Sequence, residues 1–337
     1  MEQSIPKTQK QLVWSGEPGK YEWKEVDVPT PQEGQVLIKV ASSVIDPVDL
    51  MQISGHFAPF GFTKGSRLGF EGSGTVVAAK GAEAEKFIGK RIAGMSLRTG
   101  FYSDYHVLSV NEFCVLDDDK TWEDGAVLYD QPGTAYMLYL TAKRHGAKAA
   151  VNTGANSVLG RCAIRLFKKH GLPLINIVRK KEKVDELMKW GAEYVLNSSE
   201  PDFEKQYKEL ATKLGVSVVF DCVGGASATN LVRWSPFGTT VYLYGNMSGV
   251  SKLDLTVEEL FGTCKGVKGI VNPAFYATVS KEERDAVFKE INAEFKTTFK
   301  VDVLDKFALK DFDEAWKKHH ENKANNIDGK VVLLVNP

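Results

Sequence analysis

The fold of this chain is decided by one glycine-rich stretch, Asn152-Thr153-Gly154-Ala155-Asn156-Ser157-Val158-Leu159-Gly160. An apolar strand is predicted immediately before it, over 149–153, and an amphipathic helix immediately after it. A turn in this place directs free backbone N–H groups and the positive end of the helix dipole towards a ligand. Gly154 allows the tight turn, and Gly160 allows close packing of helix on strand. An ordinary tight turn is the alternative, because Ser157 or its neighbour occupies the usual middle glycine position.

Helices and strands alternate from about residue 122 to about residue 265, which is typical of an α/β fold. The predicted strands cover 149–153, 174–178, 194–196, 216–221 and 240–245, and the predicted helices cover 159–170, 184–191, 203–214 and 226–233. Repeated β-α-β units need right-handed crossovers and give a parallel sheet that is covered on both faces. The first unit, 149–178, is 30 residues long, which suits a dinucleotide-binding βαβ unit. The sequence therefore predicts a doubly wound domain.

The residues before and after this region have a different pattern. From Lys7 to about Leu116 short β segments are broken by glycine and proline, which predicts a small antiparallel barrel. The predicted segments there are 35–44, 74–79, 91–95 and 105–108, and the last part of the chain has predicted helices over 281–300 and 312–320 and a strand over 330–335. We expect a first domain over 1–122, a dinucleotide-binding domain over 123–265 and a C-terminal segment over 266–337.

The end of the second strand of the βαβ unit indicates which dinucleotide binds. NAD-binding units usually carry an acidic residue there for the ribose 2′-hydroxyl. This chain has Ile177-Val178-Arg179-Lys180-Lys181 instead, followed by Lys183. A guanidinium suits a 2′-phosphate through paired hydrogen bonds, whereas a basic helix start that only faces solvent is the alternative. The sequence predicts NADPH, bound by Arg179 and Lys183 and by the glycine-rich turn through Gly154, Asn156, Ser157, Val158 and Leu159.

Composition excludes several classes of protein. The 337 residues carry 43 basic and 43 acidic side chains, so no excess charge favours nucleic acid or an anionic membrane surface. No apolar run approaches the roughly 20 residues that cross a bilayer. The N-terminus has neither a secretory nor a transit pattern, so we expect a cytoplasmic protein. The four cysteines, Cys114, Cys162, Cys222 and Cys264, are too scattered for a disulfide scaffold or a thiolate zinc site.

Seven short motifs follow one another along nearly the whole chain: Ile45-Asp46-Pro47-Val48-Asp49, Leu68-Gly69-Phe70-Glu71-Gly72-Ser73-Gly74, Ile88-Gly89-Lys90-Arg91, Gly133-Thr134-Ala135-Tyr136, the Gly154 turn, Gly191-Ala192-Glu193-Tyr194-Val195 and Asp221-Cys222-Val223-Gly224-Gly225. In this order and spacing the chain resembles the medium-chain dehydrogenase/reductases, in their quinone oxidoreductase and 2-enoyl thioester reductase branch. The resemblance implies a GroES-like β-barrel, a Rossmann domain and a C-terminal segment that returns to the first domain. It also implies a homodimer that pairs Rossmann edge strands near 268–271.

The resemblance implies that this chain lacks zinc. Zinc alcohol dehydrogenases hold their catalytic metal with two cysteines and a histidine. By the resemblance, the residues at these positions in this chain are Asp46, Phe70 and Asp130. Phenylalanine cannot bind a metal, and two separated carboxylates make a poor zinc site. The four-cysteine structural zinc lobe is missing as well. We therefore expect no metal.

Candidate catalytic residues are fewer and less specific. Asp46, Thr134 and Val223 match positions that the resemblance places at the cofactor, and Tyr244 ends a Rossmann strand at the carboxyl edge of the sheet, where ligands bind. His56 and Tyr129, together with Tyr136, are candidate hydrogen-bond donors to an acceptor carbonyl. Packing is the alternative role for each of these three side chains.

The resemblance leaves three functions open. NADPH-dependent reduction of a quinone or an α,β-unsaturated carbonyl compound is favoured. Fatty-acid-type 2-enoyl thioester reduction is second, because Phe57 of Ser54-Gly55-His56-Phe57 replaces the tyrosine that these enzymes use. A low-turnover NADPH-binding structural, sensing or RNA-binding protein is third, and the net charge of zero argues against its RNA-binding form.

Overall fold

A computed structural model of the chain describes residues 5–96, 100–325 and 327–336. The strands in these ranges are β1 (Thr8–Trp14), β2 (Tyr21–Asp27), β3 (Gln35–Val44), β4 (Glu71–Lys80), β5 (Arg91–Met95), β6 (Tyr105–Ser109), β7 (Phe113–Val115), β8 (Ala149–Thr153), β9 (Leu174–Val178), β10 (Tyr194–Asn197), β11 (Val216–Asp221), β12 (Thr240–Leu243), β13 (Gly266–Gly269), β14 (Val303–Ala308) and β15 (Lys330–Leu334). The α-helices are α1 (Pro47–Ile53), α2 (Ala82–Glu85), α3 (Trp122–Gly125), α4 (Asp130–Arg144), α5 (Val158–Lys169), α6 (Lys181–Lys189), α7 (Phe203–Leu214), α8 (Gly225–Trp234), α9 (Val257–Phe261), α10 (Asn272–Tyr276), α11 (Lys281–Ala293) and α12 (Phe312–Ala324). Short 3-10 helices cover Ala58–Phe60 and Leu309–Asp311.

Gln131–Ser280 and Lys296–Lys300 form one compact unit, the cofactor unit. Its six strands are ordered β10-β9-β8-β11-β12-β13, and all neighbours run parallel. The chain passes from β8 outwards through β9 to β10, and then returns to the other side of β8 as β11. The predicted doubly wound Rossmann sheet is confirmed, with its reversal of strand order between β8 and β11.

Burial explains why most of this unit could be predicted. Every residue of β8 and β9 is buried, as expected for parallel strands covered on both faces. Helix α7 places Tyr207 and Ala211 in the core that these strands share, which is the stripe that the sequence shows. Helix α4 was not predicted, because residues 132–142 are all buried and no polar face marks a helical period. The pattern of apolar residues did not predict strand β13, since its sequence is Gly-Val-Lys-Gly, but the family resemblance implied an edge strand near 268–271.

The second compact unit, the barrel unit, contains the chain up to Asp130, Lys281–Phe295 and the segment from Val301 onwards. Its main sheet is ordered β14-β15-β3-β4-β5-β7, and β6 also pairs with β3. The antiparallel pairing predicted for the segments between 7 and about 116 is confirmed for β3 to β7. Strand β15 pairs antiparallel with β3, but β14 and β15 run parallel to each other because α12 connects them as a crossover.

The units divide the chain at other positions than the sequence indicated. The break lies after Asp130 rather than after residue 122, because helix α3 packs on β3 and β4, and the backbone amides of Tyr129 and Asp130 bind Glu71. Residues 266–280 belong to the cofactor unit, since β13 extends its sheet. The helix predicted over 281–300 ends at Ala293. Among the described residues, no helix is both long enough and apolar enough to cross a membrane.

Candidate active site

The turn between β8 and α5 is too tight for any residue but glycine at two positions. Gly154 has a φ of +62°, and a Cβ atom there would lie 2.5 Å from the Cys222 Sγ. A Cβ on Gly160 would lie 2.2 Å from the carbonyl oxygen of Ala155. Ser157 caps α5, because its hydroxyl accepts a hydrogen bond of 3.1 Å from the Gly160 amide. These two glycines therefore let the turn pack closely against Cys222 and against the start of α5.

Hydrogen bonds lock the carboxyl ends of β8 and β11 together. The Thr153 hydroxyl donates to the Asp221 carboxylate at 2.9 Å and accepts from the Cys222 amide at 3.0 Å. Asp221 also accepts from the Gly224 amide at 2.6 Å, and burial raises the pKa of its carboxyl group. Strand order reverses between these two strands, and ligands of doubly wound folds bind outside the carboxyl ends at such a reversal.

Asn152 belongs to this site, although the sequence analysis did not single it out. The Tyr244 hydroxyl donates to the Asn152 Oδ1 at 2.8 Å and approaches the Thr153 carbonyl oxygen at 3.1 Å. The Asn152 side chain is fully buried, and its Nδ2 has no hydrogen-bond partner among the described residues. Buried amides normally have partners, so this group is a donor for a ligand. A polar residue within an apolar strand, next to the glycine turn, was the signal.

The predicted 2′-phosphate residues follow β9. The Arg179 side chain is exposed, and its carbonyl oxygen accepts a hydrogen bond of 2.6 Å from the Ser199 hydroxyl. The Lys183 ammonium lies 2.7 Å from the Glu186 carboxylate, so its charge is already partly balanced. No acidic residue stands at 179–181, at the position where NAD-binding units place one.

The other predicted cofactor residues have the following places in the cofactor unit. Asn156 lies partly exposed in the turn, and Val158 and Leu159 begin α5 as buried residues. Thr134 is buried in α4 and accepts a hydrogen bond of 3.0 Å from the Asn272 amide. The Val223 carbonyl oxygen accepts from the Ser248 amide at 2.9 Å.

These features fit a dinucleotide. Glycines stand where a Cβ would fill the turn, the start of α5 offers backbone donors, and the buried Asn152 amide offers another. The residues that would hold the pyrophosphate are those of the turn, and Arg179 would face the adenosine ribose.

Carboxyl groups form a buried cluster in the barrel unit. One oxygen from each of Asp46, Glu71 and Asp130 lies within 4.8 Å of the other two. This corrects the expectation that Asp46 and Asp130 are separated. Asp46 caps α1 immediately after β3, Glu71 begins the paired strand β4, and Asp130 begins α4. The strand pairing brings together residues that are far apart in the sequence.

Backbone hydrogen bonds to Glu71 and an ion pair with Lys330 stabilise this cluster. The Glu71 Oε1 accepts hydrogen bonds from the Tyr129 and Asp130 amides at 2.7 and 2.8 Å. Burial, followed by the charges of Asp46 and Asp130, raises the pKa of Glu71 well above its usual value. The Lys330 ammonium forms an ion pair with Asp46. Burial disfavours the charged form of Lys330, but the charge of Asp46 and its hydrogen bond outweigh burial and raise the pKa of Lys330.

Asp49 adds a pH-dependent group beside the cluster. It is fully buried, and its carboxylate oxygens accept from the Asp46 amide at 2.8 Å and from the Phe70 amide at 3.0 Å. Burial, and then the charge of Asp46, raises the pKa of Asp49 to about 7.

We expect the free energy of unfolding to fall as the pH rises from about 4 to about 7. Over this range the folded chain keeps a proton on Asp49 that the unfolded chain has lost, so ionisation favours unfolding, by up to about 4 kcal/mol. Urea denaturation at about pH 5 and at about pH 8 measures the change in the free energy of unfolding. Asp49→Asn is expected to reduce it while lowering stability at both pH values, because one backbone amide loses its acceptor. An unchanged pH dependence in Asp49→Asn, relative to the exposed Asp118→Asn, contradicts the assignment.

The remaining catalytic candidates of the barrel unit have different environments. His56 is exposed, with its Nδ1 2.9 Å from the Ser54 hydroxyl, so it stays a candidate proton donor. Tyr129 is fully buried, its ring is stacked on Phe288 at 4.2 Å, and its hydroxyl donates to the Asn111 carbonyl oxygen at 3.3 Å. This placement favours the packing role for Tyr129. In the cofactor unit, Tyr136 is buried against Phe299.

Comparison with known proteins decides the family. A family model described as zinc-binding dehydrogenase matches residues 158–300, and one described as alcohol dehydrogenase GroES-like domain matches residues 32–120. A quinone oxidoreductase of Pseudomonas aeruginosa is 27% identical over 333 residues, which are 96% of this chain and 98% of that protein. The chain belongs to the medium-chain dehydrogenase/reductases.

Individual relatives and solved structures indicate the branch of the family to which this chain is similar. A mitochondrial enoyl-[acyl-carrier-protein] reductase of Caenorhabditis elegans is 28% identical over 250 residues, 71% of this chain and 70% of that protein. A crystal structure of a Mesorhizobium loti protein with the provisional name NADPH:quinone reductase has a TM-score of 0.84 and 28% identity, covering 98% of this chain and 100% of that one. The Pseudomonas syringae quinone oxidoreductase has a TM-score of 0.80 and 25% identity, with 97% and 99% covered.

This medium-chain dehydrogenase/reductase thus falls in the quinone oxidoreductase and enoyl reductase branch, and it is a nicotinamide-dependent oxidoreductase. Although one matching family model is named for zinc, Phe70 offers no metal ligand here, and its ring is buried.

Proposed function

We propose that this chain is an NADPH-dependent reductase of quinones or of α,β-unsaturated carbonyl compounds, working without a metal. The observation that carries the proposal is the glycine turn at the reversal of strand order between β8 and β11, in a chain of this family. Quinone oxidoreductases are among its relatives over nearly its whole length. We assign the cofactor to the cofactor unit and the acceptor to the barrel unit.

The bound cofactor supplies the hydride, and the protein supplies binding and orientation. The turn through Gly154, Asn156, Ser157, Val158 and Leu159 holds the pyrophosphate at the start of α5. Arg179, assisted by Lys183, binds the 2′-phosphate. Following the family resemblance, we assign Asp46, Thr134 and Val223 to the nicotinamide. Within the cofactor unit, the Tyr244 hydroxyl fixes the Asn152 side chain by a hydrogen bond.

At the acceptor, the protein has to align the substrate and to supply a proton. A quinone or an activated alkene delocalises the charge that develops on its oxygen, so alignment is the main requirement. We propose His56 as the proton donor, because it is the exposed candidate in the barrel unit. Tyr129 has the weaker case, since its hydroxyl already binds Asn111.

Arg179→Ala is expected to raise the Kd for NADPH by about 10- to 100-fold and to leave the Kd for NADH almost unchanged. The removed guanidinium interacts with the 2′-phosphate, which NADH lacks. Fluorescence titration with both cofactors measures the ratio.

Lys181→Ala is the matched control, because Lys181 is an exposed cation on the same segment. Lys183→Ala is expected to have a smaller effect than Arg179→Ala, since Lys183 is paired with Glu186. If Arg179→Ala keeps the full preference for NADPH over NADH, the 2′-phosphate assignment is wrong.

Oxidation of NADPH with phenanthrenequinone, a short enone and a crotonyl thioester tests the function. We expect turnover with the first two. Turnover with the thioester alone would instead support the second candidate, a 2-enoyl thioester reductase. The enoyl-[acyl-carrier-protein] reductase relatives favour this candidate. Phe57 is evidence against it, because it replaces the tyrosine that these enzymes use. Tight NADPH binding without turnover of any acceptor would support the third candidate, a low-turnover NADPH-binding structural, sensing or RNA-binding protein.

The assembly and location of the protein also stay proposals. Strand β13 is one of the two outer strands of the six-stranded sheet, and we propose a homodimer that pairs this strand with its copy. We propose a cytoplasmic location and a small-molecule acceptor, with no nucleic acid or membrane as partner.

A further inference from the structure

The carboxyl cluster of Asp46, Glu71 and Asp130 surrounds a positive charge that belongs to the chain itself. Lys330 is 5% exposed, Asp130 is 7% exposed, and Asp46 and Glu71 are fully buried. The Lys330 ammonium forms the ion pair with Asp46, and it also interacts electrostatically with Glu71 and Asp130. Three carboxyl groups thus share one ammonium in a region closed to water.

Strand pairing fixes this ammonium in place. Strand β15 runs antiparallel to β3 with Val332 opposite Val44, and the Ile45 amide donates to the Val331 carbonyl oxygen. Continuing this register by two residues sets Lys330 opposite Asp46. Opposite charges at facing positions of antiparallel strands attract each other directly. The cation is therefore built into the sheet and is not a flexible side chain that reaches in from solvent.

Two oxygens of the cluster are buried without a hydrogen-bond partner among the described residues. They are the Asp46 Oδ2 and the Glu71 Oε2. A buried carboxyl oxygen without a partner is costly. The 4.8 Å limit on the distances between ligand oxygens also matches what one divalent cation spans when its oxygen ligands lie about 2.0–2.6 Å away.

We propose that the Lys330 ammonium is a built-in counter-cation that takes the place of a divalent metal ion between Asp46, Glu71 and Asp130, so that removing its charge turns the cluster into a divalent-cation site. The Lys330 ammonium thus supplies the positive charge that a metal ion would supply between these carboxyl groups. This inference concerns the barrel unit alone and does not depend on the proposed reaction or cofactor.

Lys330→Met tests the proposal most directly, because methionine keeps most of the side chain but ends before the position of Nζ. The full-length chain is prepared without a tag and treated with chelator, in a Cys264→Ser background that removes the exposed thiol. Equilibrium dialysis against Co²⁺ and its visible absorption bands report binding. We expect Lys330→Met to bind one Co²⁺ per chain at least about 100-fold more tightly than the unmodified background.

Lys323→Met is the matched control. Lys323 lies on α12 and interacts electrostatically with both Lys330 and Asp46, but the ion pair with Asp46 belongs to Lys330. We expect no gain of Co²⁺ binding in Lys323→Met or in Lys330→Arg, which keeps the charge. Adding Asp46→Asn to Lys330→Met is expected to abolish the gained site.

Three outcomes would overturn the proposal. The first is stoichiometric Co²⁺ in the unmodified background, and the second is a folded Lys330→Met that binds no more Co²⁺ than that background. The third applies if the Lys330→Met variant does not fold in the absence of a metal ion. In that case Co²⁺ must restore a cooperative thermal transition, and failure to restore it contradicts the counter-cation role.

Discussion

Gly160→Ala is expected to weaken NADPH binding at least about tenfold and to destabilise the cofactor unit by roughly 1–3 kcal/mol. In an ordinary helix the same change is stabilising by about 1 kcal/mol. Here the new Cβ would lie 2.2 Å from the Ala155 carbonyl oxygen and 2.5 Å from its carbon, so the backbone of the turn must move. That movement displaces the amides at the start of α5. Cofactor titration and thermal unfolding measure the two effects.

Gly171→Ala at the other end of α5 is the matched control. Gly171 has a φ of +65°, and no atom lies within 4 Å of the place of its Cβ. Alanine there is strained by roughly 1 kcal/mol without any overlap, so we expect a small loss of stability and no loss of NADPH affinity. Equal cofactor affinities of the two variants would show that the turn does not hold the dinucleotide.

Glu71→Ala is expected to destabilise the barrel unit by roughly 2–6 kcal/mol, the largest stability effect that we predict. The substitution removes the acceptor of two buried backbone amides, those of Tyr129 and Asp130, and each unpaired amide costs about 1–3 kcal/mol. Tyr129 and Asp130 lose their attachment to β4 at the same time. Chemical denaturation monitored by tryptophan fluorescence measures the change.

Glu71→Gln separates the lost hydrogen bonds from the lost charge. Its amide oxygen can accept from both backbone amides, and its amino group can donate to the neighbouring carboxylates. Because the pKa of Glu71 is raised well above its usual value, the neutral glutamine is expected to cost less than about 1 kcal/mol. A glutamine variant as unstable as the alanine variant would mean that Glu71 is charged in the folded protein.

The cofactor half of the site could be predicted because its residues are neighbours in the sequence. Gly154, Ser157 and Gly160 lie within one turn and one helix start, and local backbone geometry limits those positions to small or capping residues. Asn152 was missed, although it stands beside them. Its unpaired amide becomes informative only once the strand is known to be buried.

The barrel half could not be predicted in the same way. Sequence comparison of the zinc positions led to Asp46, Phe70 and Asp130, but it treated the two carboxylates as separate. The residues that complete the cluster are Glu71, next to Phe70, and Lys330, which is 284 residues from Asp46. No local pattern links Lys330 to Asp46, since only the pairing of β15 with β3 makes them neighbours.

The amino-acid sequence by itself determined the doubly wound sheet, the glycine turn and the basic residues after β9, because each depends on contacts between residues close in the chain. Tertiary structure alone decided the division of the chain after Asp130, the burial of Tyr129 and the gathering of three carboxyl groups around Lys330. These depend on strand pairings between distant segments, and the free energy of a buried charge depends on every group that those pairings bring near it.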